Sequence, residues 1–504
     1  MNTQVQQPAF GKWRNRLWPF HSYELKKILP LVLMKFFISV IYCVLFCLKE
    51  TVTVTSKGSG AEVIPVLKSV VVLPAAIIAA LFYSRLSSIV KKTTLFYITL
   101  GTFLSILVAY AFILYPNAAI LSPHESADWL TSIVGEKHSH WISIYRNWIH
   151  SLFFVTAELW GSVMILVVFW GFANDITTLS EAKRSYTIYI AAGDVAAAVT
   201  GPIVTWVSKK LSAFDYVFTV QCLTAFAVLV GVGIITLYFY VQKKVLSDPM
   251  YQVTTPKPVK KKEKISFSQG IKHLITSPYL LGIAILVIGY GLCISLVEVA
   301  WKANVKMAFP NPAEYGAFMG MCQSMVGTFA FIISAFLGSS MMRRLGWHIT
   351  AQLTPVIVGG AGVLFLLLCS NSSVSAWACS SLGLSPLLLL VYFGAFHNVV
   401  SKVAKYSFFD PTKEMAYIPL NEDEKVKGKA AIDIVGSRLG KSGASWIQLG
   451  LFDLIGTGSV LSITHLLTPI VLAATVGWSF AVKSLNKKFS QKTADQQAEA
   501  PVTA

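Results

Sequence analysis

The stretch Ile28-Leu-Pro-Leu-Val-Leu-Met-Lys35-Phe-Phe-Ile-Ser-Val-Ile-Tyr-Cys-Val-Leu-Phe-Cys-Leu48 runs for 21 residues with a single charge, Lys35. A helix that crosses the hydrocarbon core of a bilayer needs about 20 mostly apolar residues, because each residue advances it only about 1.5 Å. The stretch meets that requirement, and charges flank it: Lys26 and Lys27 before, Lys49 and Glu50 after. Eleven further stretches of spanning length follow. Of 504 residues 55% are hydrophobic and only 13% charged, against roughly 25% charged in a soluble domain. Mean hydropathy is +0.62. A soluble enzyme is excluded.

The spans divide six and six around a polar stretch, Gln242 to Ser277, which carries the basic run Lys257-Pro-Val-Lys-Lys-Lys-Glu-Lys264. The expected organisation is a cytoplasmic segment over 1–27 and an N-terminal six-helix bundle over 28–241. A basic linker over 242–278, a C-terminal six-helix bundle over 279–482 and a cytoplasmic tail over 483–504 complete it. In the second half, the tenth span is expected over Leu384 to Val400 and the eleventh over Ala430 to Ile455. The fold class is an all-α integral membrane protein of twelve transmembrane helices in two bundles.

Lys+Arg is 42 against Asp+Glu 24, a net charge of +18. Taking the chain ends as cytoplasmic, 30 of the 42 cations fall on that side, including Lys402 to Lys429 as a loop, and eight on the other; Lys35, Lys68, Arg438 and Lys441 lie inside spans. Cytoplasmic loops are enriched in Lys and Arg, so the split places both termini inside and accounts for the excess charge. Nucleic acid is therefore not expected as a partner, whereas an anionic lipid surface is compatible with the basic loops. The polar opening to Lys27 is not the short basic segment and apolar core of a cleavable signal peptide. Seven cysteines, odd in number and without a C-x-x-C pair, do not read as a disulfide framework or zinc site.

Ionisable groups inside a bilayer are costly unless paired or hydrated, so each is a candidate for a substrate or ion pathway. Glu158 sits mid-span in Phe153-Phe-Val-Thr-Ala-Glu158-Leu-Trp-Gly with no cation one turn away, which suits either a coupling carboxylate or a pair between helices. Glu298 and Lys302 are spaced i,i+4 in the favourable order, so they read either as a local ion pair or as part of a site. Arg438 and Lys441 lie one turn apart in Gly436-Ser-Arg438-Leu-Gly440-Lys441-Ser-Gly443, among small residues and without a nearby acid, the composition of an anion seat. Lys49 at the end of the first span reads locally as an interfacial anchor. Asp194, Asp433 and Asp453 read as packing groups or proton relays, and Asn174 and Arg146, at the two ends of the fourth span, complete the candidates.

Catalytic chemistry has no support. Gly440-Lys441-Ser442 resembles the end of a phosphate-binding loop, but that pattern requires glycine at 435, where Val435 stands. No nucleophile triad, metal-ligand spacing or paired-carboxylate arrangement occurs, and no cofactor is implied. From pattern alone the chain is a two-bundle transporter whose buried cations favour an anionic solute.

Longer strings sharpen this. Gly58-Ser-Gly-Ala-Glu-Val-Ile-Pro65, Glu158-Leu-Trp-Gly-Ser-Val-Met, Phe169-Trp-Gly-Phe-Ala-Asn174, Glu181-Ala-Lys-Arg184, Lys413-Glu-Met-Ala-Tyr-Ile-Pro-Leu420 and Lys425-Val-Lys-Gly-Lys-Ala-Ala-Ile-Asp433 together resemble the non-mitochondrial nucleotide transporters, the ATP:ADP antiporter (ADP/ATP translocase) family of chlamydiae, rickettsiae and plastids. The likeness covers about Trp18 to Lys488. It implies a fold similar to the major facilitator superfamily, nucleotide cargo, and residence in the inner (plasma) membrane of an intracellular bacterium. It also implies functional roles for Lys49, Glu158, Glu298 and Lys441, the matching charged positions. Exchangers of the family usually carry Arg-Asp-Thr-Lys-Asp at the end of the first span, where Phe46-Cys47-Leu48-Lys49-Glu50 stands here. The loss of the arginine and first aspartate makes the chain look more like chlamydial importers of nucleoside triphosphates (ATP, GTP, UTP, CTP), some of them proton symporters. Strict ATP/ADP exchange is the alternative, and a membrane-embedded phosphate-handling enzyme a remote one. The expected site thus has Lys49, Lys441, Arg438 and Lys302 on phosphate, with Glu158 and Glu298 balancing charge or carrying protons.

Overall fold

The computed structural model describes residues 22–251, 277–420, 432 and 436–499. Eleven helices among them are long and apolar enough to cross a bilayer: α1 Tyr23–Thr55, α2 Val63–Ile89, α3 Lys92–Leu114, α4 Trp148–Ile176, α5 Arg184–Lys210, α6 Tyr216–Val245, α7 Pro278–Ala308, α8 Pro312–Phe336, α9 Arg344–Ser370, α10 Pro386–Ala416 and α12 Leu461–Thr493. Between the last two lies α11, Ser437–Ile455, the more polar element that carries Arg438 and Lys441. The basic run Lys257–Lys264, Lys425, Asp433 and the start expected for the eleventh span lie outside the described residues.

Several helix starts are written in the sequence. Ser277-Pro278, Asn311-Pro312 and Ser385-Pro386 each put a side-chain acceptor at the N-cap and proline in the first turn. The cap oxygen takes up an orphan N–H, and proline's missing N–H costs nothing there. The end of α10 differs from the expectation. Lys402 and Lys405 do not close the helix as a loop would; the helix continues to Ala416, with Lys405 turned onto Asp410 at 2.8 Å. Lys402, read above as a loop cation, is therefore within a span.

Within the first six helices α1 packs on α4, α5 and α6; within the last six α7 packs on α10, α11 and α12. The two halves meet chiefly where α5 crosses α8 and where α11 lies on α2. The α5–α8 crossing is close because glycine permits it: a Cβ on Gly327 would stand 2.3 Å from the Ala198 nitrogen, and one on Gly320 2.8 Å from the Gly201 oxygen. Thr205 and Ser324 add hydrogen bonds across it, to the carbonyls of Ala317 at 3.0 Å and Ala198 at 3.2 Å.

Candidate functional site

Two buried tryptophans set the register of the central charges. Trp160, two residues after Glu158, donates its indole N–H to the Ile38 carbonyl of α1 at 3.1 Å, and Trp301, beside Lys302, donates to Val391 of α10 at 3.0 Å. A buried indole N–H needs an acceptor, so each bond fixes how its helix is rotated. Lys49 and Lys302 each lie six residues before the end of their helices, at Thr55 and Ala308. At about 1.5 Å per residue both are about 9 Å from the face opposite the chain ends.

At that height the charges form one alternating chain. Glu158 pairs with Lys49; Lys49 reaches Glu50 at 3.2 Å; Glu50 reaches Lys302 at 2.8 Å; Lys302 reaches Glu298 at 3.2 Å; and Glu298 reaches Lys68 at 3.5 Å. Three carboxylates and three ammonium groups from α1, α2, α4 and α7 thus balance. The Glu50–Lys302 and Lys68–Glu298 contacts cross from one half to the other. Burial is deepest in the middle, with side-chain exposure of 1% at Glu50 and 0% at Lys302, against 26% at Glu158. Removing one member of such a buried pair leaves an uncompensated charge, at about 3–5 kcal/mol.

Beyond the layer, the face opposite the chain ends is also joined across the halves. Lys306 donates to the Ser59 carbonyl, and the Val460 N–H donates to Glu62 at 3.2 Å. The positive-φ Gly58 makes the turn that brings this loop over α7 and α11.

On the side toward the chain ends, cations outnumber their partners. Lys441 is solvent-exposed within α11. Among the described residues it has no ion pair, and it lies in electrostatic reach of Glu158, Lys68, Lys405 and Arg438. Arg438 donates to Ser162 of α4 at 3.0 Å, a contact between halves. Lys402 stands 4.6 Å over the ring of Phe46, whose other neighbour is Lys49 at 5.4 Å. Cations held this way against aromatic faces and hydroxyls keep donors for an anion.

The expected residues therefore separate. Lys49, Glu158, Glu298 and Lys302 join one network; Lys441 and Arg438 lie beside it, Lys441 within electrostatic reach of Glu158 and Arg438 bonded to Ser162 of α4. Asn174 lies at the far end of α4, accepting from the Tyr186 hydroxyl. Arg146 lies on the opposite face, 2.6 Å from Asp128, and its hydrogen bond holds that carboxyl below the ordinary range. Nearby His140 is pushed down to about 4 by burial and stays neutral. Three participants escaped the sequence reading: Glu50, read only as Lys49's neighbour; Lys68, counted but given no role; and Lys402. Each is a charge within or bordering an apolar run, which was the available signal.

Among the described residues, twelve long helices in two halves, an alternating seam of charge where the halves meet and further contacts between them on one face make up a two-bundle membrane fold of the major-facilitator-like kind. Its fold matches that of a bacterial homologue of the iron transporter ferroportin in an inward-facing state, at a TM-score of 0.55 and 15% identity over 92% of this chain and 99% of that one. A sequence profile matches residues 3–489, and the chain belongs to the TLC ATP/ADP transporter family. It is 42% identical to ADP,ATP carrier protein 1 of Chlamydia muridarum over 99% of this chain and 95% of that protein. It is also 41% identical to the chloroplastic ADP,ATP carrier protein 1 of Arabidopsis thaliana, over 94% of this chain and 76% of that one. ADP,ATP carrier protein 1 of Rickettsia typhi is 36% identical, over 97% and 98%. The protein is a multi-pass nucleotide transporter and not an enzyme.

Proposed function

We propose that the protein imports nucleoside triphosphates by alternating access, with proton symport, across the inner membrane of an intracellular bacterium, both termini cytoplasmic. The observation that carries the cargo is the exposed Lys441 with Arg438 one turn away, and Lys402 over the Phe46 ring, cations without an ion pair among the described residues. Phosphate oxygens meet Lys441 and Arg438 first. Lysine, a compact charge on a flexible stem, follows a phosphate that moves.

Lys49 is the second-stage ligand. It is already held by Glu158, the most accessible acid of the layer, so phosphate and carboxylate compete for one ammonium. A proton on Glu158 or Glu298 weakens that competition and frees a lysine, which couples proton to cargo. Lys302, enclosed between Glu50 and Glu298, holds the halves together on the far face and meets substrate only when that face opens.

A second reading, ATP/ADP exchange, is favoured by the names of the curated relatives, which are ADP,ATP carriers. Proteoliposomes separate the two. Uptake of labelled ATP driven by an imposed pH gradient into ADP-free vesicles supports symport, and an absolute requirement for internal ADP supports exchange. Competition by GTP, UTP and CTP tests the breadth of cargo; displacement by ATP and ADP alone would overturn it.

A further inference from the structure

Lys35 and Asp194 take no part in the network above. Lys35, in the apolar stretch of α1, is buried, and its ammonium finds one hydrogen-bond acceptor, Ser39 Oγ at 3.3 Å. It stands 5.7 Å over the ring of Phe169 in α4. On the facing side is α5: a Cβ on Gly193 would come within 3.8 Å of Lys35 Nζ. The next residue is Asp194, half-buried near the middle of α5 and without an ion pair among the described residues. Within electrostatic reach of Asp194 are Lys35 and Cys43 from α1 and Lys405, Tyr406 and Asp410 from α10, in the other half. The backbone at Asp194 packs on glycine of α8: its carbonyl oxygen is 2.5 Å from where a Cβ on Gly327 would lie, at the closest crossing between halves.

An anion at mid-membrane is expensive unless a cation holds it. Here the nearest cations are close enough to attract Asp194 and too far to pair with it, and Lys405 already has Asp410 at 2.8 Å. Protonation removes that cost at one atom of the crossing where the halves move against each other. We infer that Asp194 is a proton-binding carboxylate of the transporter in addition to Glu158 and Glu298, positioned by Lys35, and that it takes a proton from water on one side and returns it on the other. In its charged state Asp194 is drawn to Lys35 and, across the halves, to Lys405; in its neutral state that pull is gone, so the preferred arrangement of α5 against α10 depends on the proton. This rests on the symport reading and adds to Glu158 and Glu298 a proton site apart from the phosphate seat.

The test uses the full chain in proteoliposomes. With Asp194→Asn, stimulation of labelled ATP uptake by an inward proton gradient is lost while ATP-for-ADP counterflow persists. With Lys35→Met, which removes the cation favouring the charged carboxyl, the pH profile of uptake moves to higher pH. Gradient stimulation as strong in Asp194→Asn as in the parent overturns the assignment. The parent's own indifference to the gradient instead defeats symport. Infrared difference spectra between acid and alkaline buffer decide independently, and they serve also if Asp194→Asn carries nothing. A protonated-carboxyl band present in the parent and missing in Asp194→Asn supports the site, and a band unchanged by the substitution overturns it.

Discussion

The carboxylate-matched layer and the cleft beside it contain the same kinds of cation, held in opposite ways. In the layer, Lys49, Lys302 and Lys68 each touch a glutamate, and the central members are sealed from solvent. Beside it, Lys441 has an exposed side chain, Arg438 rests on a serine and Lys402 on an aromatic ring. A lysine with its counter-charge closes a passage; a lysine without one waits for an anion. Lys49 belongs to both, since its partner Glu158 is the accessible end of the chain of charges.

The largest expected effect breaks the layer. Lys302→Met takes from Glu50 and Glu298 one of the two cations each touches and leaves the layer one positive charge short, lowering stability by about 3–5 kcal/mol, seen as a lower thermal inactivation midpoint in detergent. Combining it with Glu50→Gln recovers part of the loss, because the excess negative charge is removed as well. Equal loss in the single and double variants would show that the pair is not coupled.

Lys402→Met acts on the cleft and leaves the layer's contacts intact. The KM for triphosphate rises about tenfold, the equivalent of about 1.4 kcal/mol, with little change in thermal stability. A large stability change with unaltered KM would move Lys402 into the layer.

A smaller effect comes from the end of α1 that faces the chain termini. Burial acts to raise the Glu181 carboxyl, but the Thr178 N–H and Lys27 outweigh it and hold it below 4.5. A depressed carboxyl stabilises the fold above its unfolded value and ceases to do so as pH falls through the folded one, so this contribution is present at neutral pH and is lost below about 4.5. The Lys27 side chain is 4% exposed and that of Glu181 19%, and the pair contributes about 1 kcal/mol. Glu181→Gln flattens the acid limb of the stability profile by that amount. Smallest of all, Arg146→Gln leaves the KM for ATP unchanged, since Arg146 serves Asp128 on the far face.

The fold was legible because spanning helices are long and the apolar run is a strong signal: α1 by its run, and α7 and α8 with their capping Ser-Pro and Asn-Pro starts, can be read directly. The end of α10 was not, because Lys402 and Lys405 look like a loop until tertiary partners turn them inward. Of the site, Glu158, Glu298 and Lys441 were legible as charges in costly places. Lys49, anchor-like by position, was raised by the family resemblance alone. Glu50 and Lys68 gained meaning only when α1, α2 and α7 met, since a pairing across two hundred residues leaves no local trace.

The most direct measurement is equilibrium binding of labelled ATP to the purified full-length protein and to its Lys441→Gln variant in the same detergent. Loss of a charge-assisted contact to phosphate, worth about 1.5–3 kcal/mol, weakens binding by roughly ten- to 150-fold. An unchanged Kd in a variant with normal thermal stability would contradict the placement of the nucleotide phosphates in the Lys441 cleft.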